Sequence, residues 1–343
     1  MEQRALMYPW FDELWLRLSK HPAHAILLDA PPGWAIDTLA QVWAQSQLCD
    51  HPDARQQPCG TCASCHAFEV KSHPDLGLLF PEIYALENEW PLDPAIQDAL
   101  DKKERKPSRV IKIDQVREMI EFSQRTASRQ GPKIIWIHPA EALTMESANA
   151  LLKTLEEPVP GLRFILSSEH VDALIPTIRS RCQRLTLTTV NDGAILAWLR
   201  QRAQVANVKG GDDDLQAAWL ASGQRPMLAL HWLTFESFHA ESWNQLPDQV
   251  ARGQAGCIQG WPVFDQLHVF QMVANDWNRV LHGASPRFFE SRAFSKNIKP
   301  DPRKCSQWMH ELTREMQSID HPLNPQVSLH AWLSRSKSVF LST

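Results

Sequence analysis

Long apolar runs are missing from this chain: no stretch approaches the roughly 20 residues of a membrane-spanning helix. Residues 1–9 carry an acid early and lack the apolar core of a signal peptide, so a cytoplasmic protein with no membrane partner is expected. An excess of positive charge is missing too. The formal net charge is −4 and the pI about 6.4. A free-standing nucleic-acid module is usually basic, so any DNA contact is expected to be local or shared with partners. No internal repeat stands out. What is present is ordinary for a globular protein, with 43% hydrophobic residues in a chain of 343, enough for two or three domains.

Seven cysteines are present, and four of them are clustered: Cys49, Cys59, Cys62 and Cys65. The spacing Cys-x9-Cys-x2-Cys-x2-Cys can close a tetrahedral thiolate site, and Gly60 eases the turn between two of the ligands. In a reducing compartment such a cluster points to metal rather than disulfides. Four thiolates with no open position predict structural zinc, not catalysis; redox chemistry is the weaker reading, and His51 and His66 are surplus to a four-ligand site. Cys182, Cys257 and Cys305 stand alone. The fourteen tryptophans recur with leucines at helical spacing and read as packing residues.

Residues 24–30 form a short buried-strand pattern that runs into Pro31-Pro32-Gly33 and then a helix through Ile36, Leu39, Ala40 and Trp43. Further strands are predicted at 74–80, 133–137, 163–168 and 184–188. The helices between them start near Ile113 and run through Ala148 to Leu155, where Pro158 stops the second. This alternation implies a mostly parallel sheet with helices on both faces, an α/β domain with the zinc module inserted. Residues 82–108 interrupt it as a polar insertion that reads as a solvated loop with a short helix near 94–103; a basic DNA patch there is the weaker reading. Beyond Val190 the strand signals vanish. The expected domains are 1–189, the α/β core with its zinc module at 49–65; 190–236, a small helical unit; and 237–343, all-α, with helices near 262–281, 303–317 and 326–340.

A working phosphate loop needs glycines for close backbone approach, a lysine for the outer phosphates and a Ser or Thr for Mg²⁺. Here the register is Ala30-Pro31-Pro32-Gly33-Trp34-Ala35-Ile36-Asp37. Gly33 survives, Ile36 takes the lysine position, and Asp37 puts a negative charge where phosphate would sit. A strand-to-helix turn with no bound nucleotide is the better reading. The strand that should end in a metal-holding acid and a water-activating Glu ends in His138 and Pro139, which can do neither; Glu141 is expected to point elsewhere. Two losses agree that the chain does not hydrolyse ATP. Ser180-Arg181-Cys182, just before the last strand, places an arginine where it can reach a γ-phosphate held next door. A surface arginine paired with an acid is its bland alternative. Arg179 is a lesser candidate, and Arg225, at a helix start, reads as structural.

With these residues assembled, the chain resembles the delta-prime subunits of bacterial DNA polymerase III sliding-clamp loaders, within the AAA+ family. The resemblance rests on the four-cysteine module, Ser72-His73-Pro74-Asp75, the run Asn149-Ala-Leu-Leu-Lys-Thr-Leu-Glu-Glu-Pro158 and Ser180-Arg181-Cys182, and more weakly on residues 323–329. It implies an AAA+ core, a helical lid and an all-α collar in a hetero-oligomeric loader with gamma/tau motor subunits and a delta subunit. It also implies a rigid subunit, inactive as an ATPase, whose Arg181 enters the neighbouring gamma/tau ATP site so that the beta clamp is loaded onto primed DNA. Two other classes remain: an autonomous ATPase of the gamma/tau motor type, and a zinc-dependent nucleic-acid-binding module.

Overall fold

The computed structural model of the chain describes residues 8–53, 56–129, 131–188, 190–208, 210–298, 300–317 and 325–340. The expectations placed on residues 1–7, on Thr189 and on Leu323 and Asn324 lie outside it. The chain forms two compact units, residues 1–191 and 192–343.

The first unit opens with α1 (Asp12–Ser19), β1 (Ala25–Asp29), α2 (Ile36–Leu48), α3 (Ala63–Glu69) and β2 (Leu76–Leu79). It continues with α4 (Glu82–Glu87), α5 (Pro94–Asp101), α6 (Ile113–Gln124), β3 (Lys133–Ile137) and α7 (Met145–Glu156). β4 (Leu162–Ser168), α8 (Pro176–Arg179) and β5 (Gln183–Thr186) complete it. The five strands form one sheet in the order β2-β3-β4-β1-β5. Every pairing is parallel, with Leu27 opposite Leu166 and Leu79 opposite Ile137.

Every residue of β1 and β3 is buried, as a strand covered on both faces requires. One face carries Ala25, Leu27, Ile135, Ile137, Phe164 and Leu166. They share a core with Val116 of α6 and with Leu151 and Leu155 of α7. The residues alternating with them turn toward α2, whose Leu39 and Ala40 are fully buried. Because β1 pairs with β4 but is followed in the chain by β2, the connections out of β1 and β4 diverge. The carboxyl ends of these strands are where open α/β sheets bind their ligands.

Residues 82–108 are more structured than a solvated loop. They hold α4 and α5, and Trp90 is 5% exposed with its ring 5.7 Å from those of Phe80 and Trp136. The buried Glu82 takes two bonds from Arg105, at 2.6 and 2.9 Å, and one from the Ser108 N–H at 2.8 Å. The polarity of the segment is genuine; its few aromatic residues do the anchoring.

The second unit is entirely helical among its described residues: α9 (Asp192–Val205), α10 (Asp212–Ala221), α11 (Pro226–Leu233), α12 (Ala240–Ala251), α13 (Val263–Leu281), α14 (Pro302–Gln317) and α15 (Pro325–Phe340). Tryptophans fill its core. Trp232 of α11 lies 5.5 Å from Trp243 of α12, which stacks on Phe289 at 4.7 Å. Over the whole chain all fourteen except Trp34 are buried, as the packing reading requires. No described helix is long and apolar enough to cross a membrane.

Candidate functional site

The crevice at the carboxyl end of β1 is lined by the loop from Ala30 to Ala35. Gly33 and Ala35 both take left-handed conformations there, with φ of 81° and 55°. Ile36 begins α2 and is fully buried, so the side chain at the lysine position belongs to the core. Asp37, in the first turn of α2, accepts a hydrogen bond from the Tyr84 hydroxyl at 3.0 Å. Burial and the Asp37 charge hold that phenol far above its usual range, so Tyr84 stays protonated and donating. The Gly33 N–H, which in a working loop would face phosphate, donates instead to Glu169 Oε1 at 3.2 Å.

His138, at the end of β3, is 6% exposed, and its ring lies 4.6 Å from that of Tyr84. Its Nδ1 is 2.9 Å from Ser167 Oγ, and burial lowers its pKa and keeps the imidazole neutral. The cis-linked Pro139 follows it. Glu141, expected to point elsewhere than the position of a water-activating Glu, reaches the end of β4. Its Oε1 accepts the N–H groups of Glu169 and His170 at 3.2 and 3.1 Å. The two open backbone N–H groups at the end of β4 draw the carboxylate in.

Burial raises the Glu169 pKa, and the Asp37 and Glu141 charges add to the shift against the Gly33 bond that opposes it. Three carboxylates, a phenol and a neutral imidazole therefore cluster at the carboxyl ends of β1, β3 and β4. Sequence reasoning missed Tyr84 and Glu169. Tyr84 lay in a segment read as loop, and Glu169 bears its meaning only through a contact 136 positions away.

Arg181 lies in the bend between α8 and β5, with its side chain 30% exposed. Its Nε and Nη2 both contact Glu156 Oε1, at the end of α7, and Nη1 donates to the Thr177 carbonyl at 2.9 Å. Cys182 beside it packs against the sheet core, and burial raises its thiol to about 12. Arg179 pairs loosely with Asp172 at 3.4 Å. Arg225 precedes α11 in the second unit, where its backbone N–H bonds Ser222 Oγ at 3.0 Å.

The four clustered cysteines meet. Cys49 ends α2, Cys62 caps α3 and Cys65 lies in the first turn of α3. All four Sγ atoms are within 4.8 Å of one another. Cys49 is 3.9 Å from Cys62, and Cys59 is 4.0 Å from Cys65. A tetrahedron with Zn–S bonds of about 2.3 Å has edges of about 3.8 Å, so the donor set fits a tetrahedral metal ion such as zinc. The N–H groups of Cys59, Cys62 and Cys65 point at Cys49, Cys59 and Cys62 sulfurs at 3.3, 3.4 and 3.3 Å, a pattern that stabilises thiolates. The Thr61 N–H contributes most to lowering the Cys59 thiol to about 6, while burial pushes Cys49 and Cys65 up. Gly60 makes the intervening turn at φ 72°, with open space where a Cβ would stand, so conformation rather than room requires glycine.

An all-parallel sheet with β1 inside it and a loop-to-helix turn at its carboxyl edge, in a chain whose second unit is helical, is an AAA+-type architecture. A family described as DNA polymerase III, delta subunit, matches residues 17–191. The chain is 31% identical to DNA polymerase III subunit delta' of Haemophilus influenzae over 79% of its own length and 74% of that protein. Against subunit delta' of Pseudomonas aeruginosa it is 31% identical, over 80% of this chain and 72% of that one. Similarity to subunit tau of Bacillus subtilis is lower, at 27% identity over 62% of this chain and 33% of the other. The chain belongs to the delta' family of DNA polymerase III clamp-loader subunits.

Proposed function

We propose that this subunit does not burn ATP itself but completes the ATP site of a neighbouring gamma/tau motor subunit. In this reading it joins the delta subunit in a loader that places the beta clamp on primed DNA. The observation that carries the reading is the contrast between two places on the first unit. The chain's own crevice is filled by Glu169, Tyr84 and Asp37, while Arg181 stands part-exposed on the rim before β5.

Phosphoryl transfer spreads charge over the γ-phosphate oxygens, so a guanidinium brought in from outside accelerates it by about 10³–10⁵. The degenerate register at Ile36, Asp37, His138 and Pro139 removes the lysine, the hydroxyl and both acids that a motor needs. We further propose that Cys49, Cys59, Cys62 and Cys65 hold one zinc ion. Its contribution is folding free energy for the segment joining α2 to α3, with no open coordination position for chemistry. The expected domains at 190–236 and 237–343 are proposed as lid and collar.

Reconstitution with motor subunits, clamp and primed DNA tests the reading. Arg181→Ala is expected to leave assembly intact and to lower turnover at the adjoining ATP site by up to about 10³-fold. Turnover and clamp loading equal to those of the native protein would remove the finger assignment.

A further inference from the structure

Arg181 does not stand on the rim unsupported, and the group that holds it has no part in the reading above. The guanidinium carries five N–H groups. Two of them, on Nε and Nη2, converge on a single oxygen of Glu156, and a third, on Nη1, reaches the Thr177 carbonyl at 2.9 Å. A fourth, also on Nη1, approaches Ser180 Oγ at 3.5 Å, which leaves the second Nη2 N–H for an incoming partner. Glu156 thus grips one side of the plane and leaves an Nη2 N–H, with the long Nη1 contact to Ser180 beside it, for an incoming phosphate, a group arginine is suited to recognise.

Both holding groups have fixed platforms. Glu156 is the last residue of α7, whose Leu151 and Leu155 are buried in the sheet core. Thr177 lies in α8 beside the fully buried Ile178. The Glu156 side chain is 48% exposed, so the pair itself adds little to the stability of the fold.

We propose that Glu156 is the positioning residue for the Arg181 guanidinium, fixing its plane so that the outer Nη2 N–H is presented to the γ-phosphate of the adjoining subunit. This rests on Arg181 acting in trans. A long, rotamer-rich side chain without that grip loses orientation, and misplacement of a catalytic group is felt in the chemical step more than in nucleotide affinity.

The test is a double-mutant cycle in the reconstituted loader: native, Glu156→Ala, Glu156→Gln, Arg181→Ala and the Glu156→Ala/Arg181→Ala pair. Glu156→Ala is expected to lower kcat for ATP about 3- to 10-fold with KM and melting temperature little changed. Glu156→Gln, which keeps an acceptor, should fall between it and the native protein, and the double variant should match Arg181→Ala. Native kcat in Glu156→Ala while Arg181→Ala is impaired overturns the proposal and leaves the finger standing. Raised kcat would mean that the carboxylate masks the arginine, and an additive double variant that Glu156 acts elsewhere; either overturns it. A silent Arg181→Ala removes the finger reading and this inference with it.

Discussion

Nucleotide exclusion can be worked from the crevice itself. A phosphate oxygen about 5 Å from the Asp37 carboxylate is repelled by about 3 kcal/mol at an effective dielectric of about 20. The ammonium missing at Ile36 withholds an attraction of about the same size. The Gly33 N–H is already engaged by Glu169, so a phosphate must break a charge-assisted hydrogen bond worth about 1.5–3 kcal/mol. Together these come to roughly 8 kcal/mol, the whole binding free energy of a micromolar ligand.

MgATP titrated into the isolated subunit, followed by calorimetry or a fluorescent analogue, is therefore expected to show no saturable binding at millimolar concentrations. Asp37→Ser removes only one of the three terms and should leave the protein without measurable affinity. Saturable, Mg²⁺-dependent binding to the native chain below about 100 μM would mean that Glu169 and Tyr84 yield the crevice readily, and the reasoning would be wrong.

Elemental analysis should find about one zinc per chain. Cys62→Ser should lose it while keeping the α3 cap, since serine is itself a good N-cap; metal-free but native-like protein would refute the site. Trp90→Ala should cost about 3–5 kcal/mol in chemical denaturation, because the ring is 5% exposed among Phe80, Trp136 and Phe68; a loss below about 1 kcal/mol would show that residues 82–108 are not anchored there. Glu169 has a raised folded pKa, so its contribution is fully present below the unfolded value of about 4.3 and is lost as pH rises through the folded one. Glu169→Gln should thus melt above the native protein at pH 8 and converge with it as pH falls to about 4. A difference independent of pH would place the effect in shape rather than charge.

Strands β1 to β4 were legible because each is a short apolar run between turn signals, and the run 133–137 coincides with β3 to the residue; β5, expected at 184–188, forms at Gln183–Thr186 with only Leu185 buried. The cysteine module was legible from spacing alone, since x2 gaps leave the thiols no choice but to share one small volume. The turn from β1 into α2 through Gly33 was also readable, because it is contiguous in sequence.

What fills the emptied site was not. Tyr84 reaches Asp37 across 47 positions and Glu169 reaches Gly33 across 136. Neither pairing leaves a periodic or spacing signal, because each depends on the sheet order β2-β3-β4-β1-β5 bringing distant strand ends together. The partners of Glu141 were not legible for the same reason: the N–H groups of Glu169 and His170 come within its reach only at the end of β4. By itself the sequence determined which residues follow β1 and β3: Ile36, Asp37, His138 and Pro139. Only the tertiary structure decided that Glu169 accepts the Gly33 N–H and that Tyr84 donates to Asp37, because a polar group left open inside the fold is costly and the nearest partner in space takes it.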